Sequence, residues 1–164
     1  LTLALMDFYH QPNGAQADAA MTQAFNLLAE AQDEEPVVHI EARDITARRK
    51  AGSVIWFDFR VLCGGPRSQN DYLEIAAQFQ TVFLSDVPEM GIRHASEARR
   101  FTWLVDVLYD RRVKLVMSAA VPPEQLYVEG PMAHEFVRTV SRLAEMQSQG
   151  FLDEARRDVD TGLT

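Results

Sequence analysis

The chain has 164 residues, with 16 basic against 24 acidic and a net charge of −8. Its 47% apolar content is enough for one buried core and excludes an intrinsically disordered chain. The acidic balance argues against a nucleic-acid binder, which needs a basic face, and a single cysteine, Cys63, excludes an internal disulfide and fits a reducing compartment. No apolar run approaches the ~18 residues that a membrane span needs. Leu1–Met6 is short and has no basic flank, so it does not read as a signal peptide. The first residue is not Met and Gly162-Leu163-Thr164 carries no helix stop, so the chain reads as a piece of something longer.

Residues 1–10 are apolar and read as a short strand, followed by a turn at Gln11-Pro12-Asn13-Gly14. Ala17, Ala20, Met21, Ala24, Phe25 and Leu28 recur at helical spacing and predict a helix over 16–31. Residues 36–59 read as β structure. Val37–Ile40 is one short run, and 44–50 and 53–59 flank Ala51-Gly52 as a hairpin. In the second arm Val54, Trp56 and Asp58 alternate with Ile55, Phe57 and Phe59. Arg48-Arg49-Lys50 is expected to be a solvated edge that discourages aggregation, with a partner contact as the sharper alternative.

Gly64-Gly65-Pro66 breaks the pattern, and Ser68 or Asn70 is placed to cap a helix running to about Phe79. Two apolar runs, Thr81–Leu84 and Val113–Met117, enclose a helix over about 96–109 with Phe101, Leu104, Val105 and Leu108 on one face. Strand, helix and strand of this kind form a parallel βαβ unit. Ligands in such sheets sit beyond the carboxyl ends of the strands, here Ser85-Asp86 and Ser118-Ala119. A last long helix is expected over 131–148, ended by Gly150, with 153–164 as a frayed tail. The fold class is α/β, a parallel βαβ core with an added β-hairpin and a long C-terminal helix.

Several chemistries are missing from the string. Only Lys50 and Lys114 are lysines, and neither stands in a Gly-x-x-x-x-Gly-Lys-Ser/Thr loop. The four histidines are scattered, and with one cysteine they make no zinc pattern. No Gly-x-Ser-x-Gly elbow surrounds a serine. A hydrolase built on Ser118 needs a histidine and a carboxylate within hydrogen-bond reach.

What remains is arginine, which accounts for the other fourteen basic residues and forks onto carboxylate or phosphate. Arg99-Arg100 opens the buried helix, where Arg99, Trp103, Asp106 and Asp110 share one stripe. That stripe is either a polar seam or a reach toward a nucleotide or a neighbouring subunit. Arg138 and Arg142 lie one turn apart on the last helix, beside Glu135 and Glu145, and by themselves read as a solvated face.

A series of blocks resembles the ZapE/AFG-one-like ATPase family. They are Trp56-Phe57-Asp58-Phe59, Leu62-Cys63, Gly65-Pro66-Arg67, Asp71-Tyr72-Leu73 and Phe83–Pro88, then Arg99-Arg100-Phe101 and Leu104–Asp110. Val113-Lys114-Leu115, Pro123–Tyr127, Arg138–Leu143 and Glu145–Ser148 complete the order. The match is close from about 54 to 148 and loose over 1–53. The resemblance implies a P-loop NTPase architecture of the AAA+ type, of which this chain is the carboxyl-terminal half. It divides the chain into 1–152, with a hairpin region at 36–59 and the βαβ unit plus helix at 68–148, and a tail at 153–164.

The resemblance further implies an ATPase in the full-length protein, with ATP and Mg bound mainly by a missing amino-terminal half. No cofactor is expected in this fragment, which is predicted not to hydrolyse ATP. Arg142 is the first residue it suggests for sensing the γ-phosphate, and Arg138 the second. Arg99 and Arg100 are suggested at a nucleotide or subunit boundary, and Ser118 at the end of a sensor strand. The expected partners are the missing half, a division or membrane-associated protein, and further copies of the intact protein. A cytoplasmic location follows, or one peripheral to the inner membrane. A non-catalytic interaction domain, using the hairpin near Arg48 to Trp56, is the other reading.

Overall fold

A computed structural model of the chain describes residues 7–162. A five-stranded sheet runs in the order β1-β7-β6-β5-β4. Its members are β1 (Tyr9–His10), β4 (Arg49–Ala51), β5 (Val54–Asp58), β6 (Thr81–Val87) and β7 (Lys114–Ala119). The pairs β1–β7, β7–β6 and β6–β5 are parallel, and β4 is an antiparallel edge. A separate antiparallel pair is formed by β2 (Val37–Ile40) and β3 (Arg43–Thr46). The architecture is α/β with a mostly parallel sheet flanked by helices, consistent with a P-loop NTPase-like fold.

The βαβ unit is as the sequence predicts. α4 (Ala95–Asp110) connects β6 to β7, which pair in parallel register with Phe83 opposite Val116. Every residue of β7 is buried, as befits a strand covered on both faces. α1 (Ala15–Leu28) packs on β6 and β7. Phe25 sits in a ring cluster with Trp56 and Phe83, at centroid distances of 5.9 and 5.3 Å. α4 packs against α2 (Phe59–Cys63), α3 (Gln69–Gln78) and α5 (Phe136–Glu145), with Phe101 between Phe59 and Phe136.

The β region departs from the single hairpin expected over 44–59. The chain makes two turns there. In the first, Glu41 and Ala42 take φ of +53° and +61° and join β2 to β3. That left-handed turn carries no Asn-Gly signature, so the local string does not announce it. In the second, Gly52 joins β4 to β5, with Ala51 opposite Val54. β5 is not a half-wet hairpin arm. It also pairs in parallel with β6, Trp56 lying opposite Phe83, and Val54 through Phe57 are all buried. Phe59 has left the strand and begins α2.

Arg48-Arg49-Lys50 lies at the edge of the sheet, with Arg48 exposed and Arg49 and Lys50 half-buried, and its side chains are paired. Arg49 is ion-paired with Asp33 at 2.8 Å, and Lys50 donates to the Val37 carbonyl at 2.9 Å. The Arg49 hydrogen bond holds the Asp33 carboxyl below its usual range. The Arg48 Nε approaches Asp58 to 2.6 Å, and its terminal nitrogens stand 3.1 Å from Asp86 and 3.5 Å from Asp18.

The final helix is broken in two. Turns occupy 131–135, α5 spans Phe136–Glu145, and α6 spans Gln149–Gly162. Gly150 lies inside α6 rather than ending a helix. Phe151, Leu152 and Ala155 are buried, and Phe151 stacks on Tyr109 at 6.0 Å. α6 therefore includes much of the segment expected to be a frayed tail. Residues 1–6, part of the expected first strand, and 163–164 lie outside the described residues.

Candidate functional site: an arginine-lined cleft

The carboxyl ends of β5 and β6 do not open into a free crevice. Arg48 fills that end, with its guanidinium 5.4 Å from the Trp56 ring centroid and three carboxylates around it. Ser118 is fully buried and its Oγ accepts from the Asp86 amide at 2.9 Å. Asp86 has φ of +66°, where the β6–β7 register shifts between Leu84 and Val87. The hydroxyl thus supports an irregular strand end. His10 is in register with Ser118, yet no hydrogen bond joins them among the described residues. The hydrolase requirement is not met there.

A cleft of about 470 Å³ lies at the other face of α4. Arg43, Arg67, Arg99 and Arg100 line it, together with Asp71 and Trp103. Three segments deliver the guanidinium groups: β3, the loop before α3 and the first turns of α4. Ser68 caps α3, its Oγ accepting from the Asp71 amide at 3.3 Å. Asp71 returns the bond by accepting from the Ser68 amide at 2.9 Å. This reciprocal box satisfies two of the helix's free N–H groups. The other Asp71 oxygen is ion-paired with Arg43, and Asp71 is only 1% exposed. One buried carboxylate therefore fastens both α3 and the β2–β3 pair to the cleft.

Arg67 and Arg100 are held by their Nε atoms. Arg67 donates to the Val61 carbonyl at 3.1 Å and Arg100 to the Cys63 carbonyl at 2.8 Å. Both carbonyls belong to the last turn of α2, where no intrahelical donor reaches. Gly64 closes that turn, because a Cβ there would stand 2.5 Å from the Arg60 carbonyl oxygen. Arg100 also reaches Glu97 loosely, at 3.4 Å. Arg99 is exposed and makes no hydrogen bond or ion pair among the described residues. The cleft thus presents pre-ordered guanidinium groups, one of them wholly unengaged, to a ligand carrying negative charge.

Cys63 and Tyr72 form the wall behind the cleft. The Tyr72 hydroxyl donates to the Leu62 carbonyl at 2.7 Å and lies 3.9 Å from the Cys63 sulfur. Burial pushes the Cys63 thiol up to about 12, so it is inert at neutral pH, and raises the Tyr72 hydroxyl well above its ordinary value.

The other two sequence-predicted arginines lie elsewhere. Arg142 on α5 is ion-paired with Asp106 on α4, and its guanidinium is 4.8 Å from the Tyr109 ring centroid. Arg138 is exposed one turn earlier on α5. Neither lines the cleft. Arg43 and Arg67 were not singled out by sequence reasoning. For Arg67 the signal was available in Gly65-Pro66-Arg67-Ser68, a loop just before a helix cap. For Arg43 there was none, since its turn is cryptic.

Among the described residues no helix is long and apolar enough to cross a membrane, and no group of three or more His, Cys, Asp or Glu residues is placed to hold a metal ion.

Residues 2–155 match the family model described as AFG1-like ATPase. The chain is 38% identical over 152 residues to the cell division protein ZapE of Escherichia coli strain K12, covering 92% of this chain and 40% of that protein. It is 34% identical over 154 residues to lactation elevated protein 1 homolog B of Danio rerio, covering 92% of this chain and 30% of that one. The chain therefore spans two fifths or less of the length of these relatives. No solved structure matches it. A family match along nearly its whole length, on an α/β sheet of the expected topology, means that this chain belongs to the AFG1-like ATPase family.

Proposed function

We propose that the chain is the carboxyl-terminal portion of an ATP-hydrolysing protein of the AAA+ type, and that this portion meets a protein partner on the motor's behalf. ATP and Mg are held mainly by residues outside the chain, in a preceding half that carries the P-loop. The reading is supported by the family match, by the 40% coverage of the Escherichia coli relative, and by the absence of a Walker A motif from all 164 residues. The observation that carries it is the cleft. Four arginines converge on an open surface whose lining carboxylate, Asp71, is already committed to Arg43 and the Ser68 amide, an arrangement suited to binding rather than to chemistry.

In this reading the partner is a cell-division or membrane-associated protein, and the intact molecule works as several copies in the cytoplasm or at the inner membrane face. Arg142, with Arg138 one turn away, answers the γ-phosphate by exchanging Asp106 for it. Arg99 and Arg100 face the partner or a subunit boundary, and Ser118 keeps the strand end in shape. A non-catalytic interaction domain is the second reading, and the same cleft favours it.

ATP turnover by the protein that carries this chain, compared with the chain alone, tests the proposal. The longer protein is expected to hydrolyse ATP, and the chain alone to show neither hydrolysis nor micromolar binding of Mg-ATP. Arg142→Ala is expected to lower the longer protein's turnover more than tenfold, a loss of about 1.4 kcal/mol or more in transition-state stabilisation, and to cut turnover more than it cuts stability. Hydrolysis by the chain alone would overturn the division of labour. Unchanged turnover in the variant would remove Arg142 from the mechanism.

A further inference from the structure

The arginine cleft does not end at Arg99. Arg99 and Trp103 are also the wall of a second groove of about 350 Å³, so the two depressions are continuous. The second groove is mostly apolar: Ala98, Tyr127, Met132 and Phe136 line it, with Thr102 and the carboxylate of Glu135 as its polar members besides Arg99. Its floor is fixed: the Tyr127 hydroxyl donates to the Pro131 carbonyl at 2.6 Å, and the Tyr127 ring meets Phe136 edge-on at 5.8 Å. Met132, which lines the groove, is 63% exposed. Large apolar side chains left in water beside a rigid aromatic floor mark a contact surface.

Charge identifies what fits. The chain carries a net −8, yet the cleft gathers four guanidinium groups against one lining carboxylate, Asp71, which Arg43 already neutralises, and Glu97, which Arg100 reaches at 3.4 Å. A ligand that spans both depressions must offer negative charge at one end and apolar bulk at the other. A nucleotide also offers both, and arginine forks onto phosphate as it does onto carboxylate, so a phosphate competitor belongs in the test. The cleft presents arginine side chains, and the groove beside it adds Trp103, Met132 and Phe136. Arginine, methionine and aromatic side chains around a fixed floor are the composition of protein-interface cores.

We propose that this continuous surface docks a segment of a partner protein in which one or two carboxylates stand beside a large apolar side chain. The carboxylates fork onto Arg99 and the terminal nitrogens of Arg67, and the apolar side chain enters the groove against Phe136, Trp103 and Met132. The inference rests on the preceding reading only in taking a protein as the partner. It does not depend on Arg142 or on nucleotide turnover.

The test is selection from a displayed library of random peptides of about twelve residues, long enough to cross both depressions, on the full chain. Recovered peptides are measured again on Arg99→Glu and Met132→Glu. Both residues are exposed, so the variants are expected to melt as the parent does, which circular dichroism checks. Recovered peptides are expected to carry Asp or Glu within about three residues of Leu, Met, Phe or Trp, and to shift the emission of Trp103, Trp56 being buried in the core. Each variant is expected to weaken them by about tenfold or more. Failure to recover binders, binders without acidic residues, or binders indifferent to both variants would overturn the proposal. Displacement of the peptides by inorganic tripolyphosphate at lower concentration than by a second peptide would assign the cleft to phosphate instead. Loss of ATP turnover on Arg142→Ala is measured separately, so either idea can fail alone.

Discussion

Arg142 on α5 is ion-paired with Asp106 on α4 while its guanidinium lies 4.8 Å from the centroid of the Tyr109 ring. The contact ties two consecutive layers of the helical side at a point 36 residues apart in sequence. Both side chains are mostly but not wholly shielded, at 20% and 29% exposure, so solvent screens the pair in part. A double-mutant cycle of Arg142→Ala and Asp106→Ala, read by urea denaturation, is expected to give a coupling of about 1 kcal/mol. A coupling near zero would mean that the pair does not hold α5 to α4.

Asp71 is expected to be among the most sensitive positions outside the apolar core. Its carboxylate serves the Ser68 amide and Arg43 at once, and it is 1% exposed. Asp71→Ala removes the reciprocal half of the capping box, leaving the Ser68 amide and Arg43 without their partner, at a cost of about 2–3 kcal/mol. In a chain of this size that lowers the melting temperature by about 5–10 °C. Asp71→Asn, which keeps an acceptor oxygen, is expected to recover part of the loss. Equal melting temperatures for parent and Asp71→Ala would contradict the role given to the box.

Cys63 is expected to resist thiol reagents in the folded protein and to react at once in denaturant. Its thiol is pushed from 9.0 up to about 12 by burial. Below pH 9 the thiol is neutral in both states. Between about 9 and 12 the unfolded thiol ionises while the folded one does not. Stability therefore falls as pH rises through that window, by about 1.4 kcal/mol per pH unit from this group alone. The raised Tyr72 hydroxyl acts in the same direction at still higher pH. Urea midpoints at pH 8 and 10.5 are expected to differ more for the parent than for Cys63→Ala.

The βαβ unit was legible because it is local. Apolar runs at 81–84 and 113–117 and a 3.6-residue stripe between them need no distant partner to be recognised, and α4 was expected within one residue at each end. The character of β5 was not legible, because the strand that buries its second side, β6, arrives after two intervening helices. Read alone, Val54–Asp58 alternates like one arm of a hairpin. The interruption at Met146–Ser148 escaped for a different reason. It carries neither proline nor glycine, and the glycine that suggested an end, Gly150, sits in the next helix. The cleft was half visible. Arg99-Arg100 stood out on its helix, but Arg43 and Arg67 join it only once Asp71 has drawn β3 and the α3 loop together. Convergence of separate segments leaves no periodic trace.

The margin formed by β4 also limits how copies of this molecule can come together. That strand has three residues, and the carbonyl that Lys50 turns outward already accepts the Glu34 amide at 2.7 Å, while Lys50 Nζ is committed to Val37. An incoming strand would find few vacant backbone groups on which to continue the ladder. Any second chain meeting this side would have to do so through side chains rather than through a continued ladder.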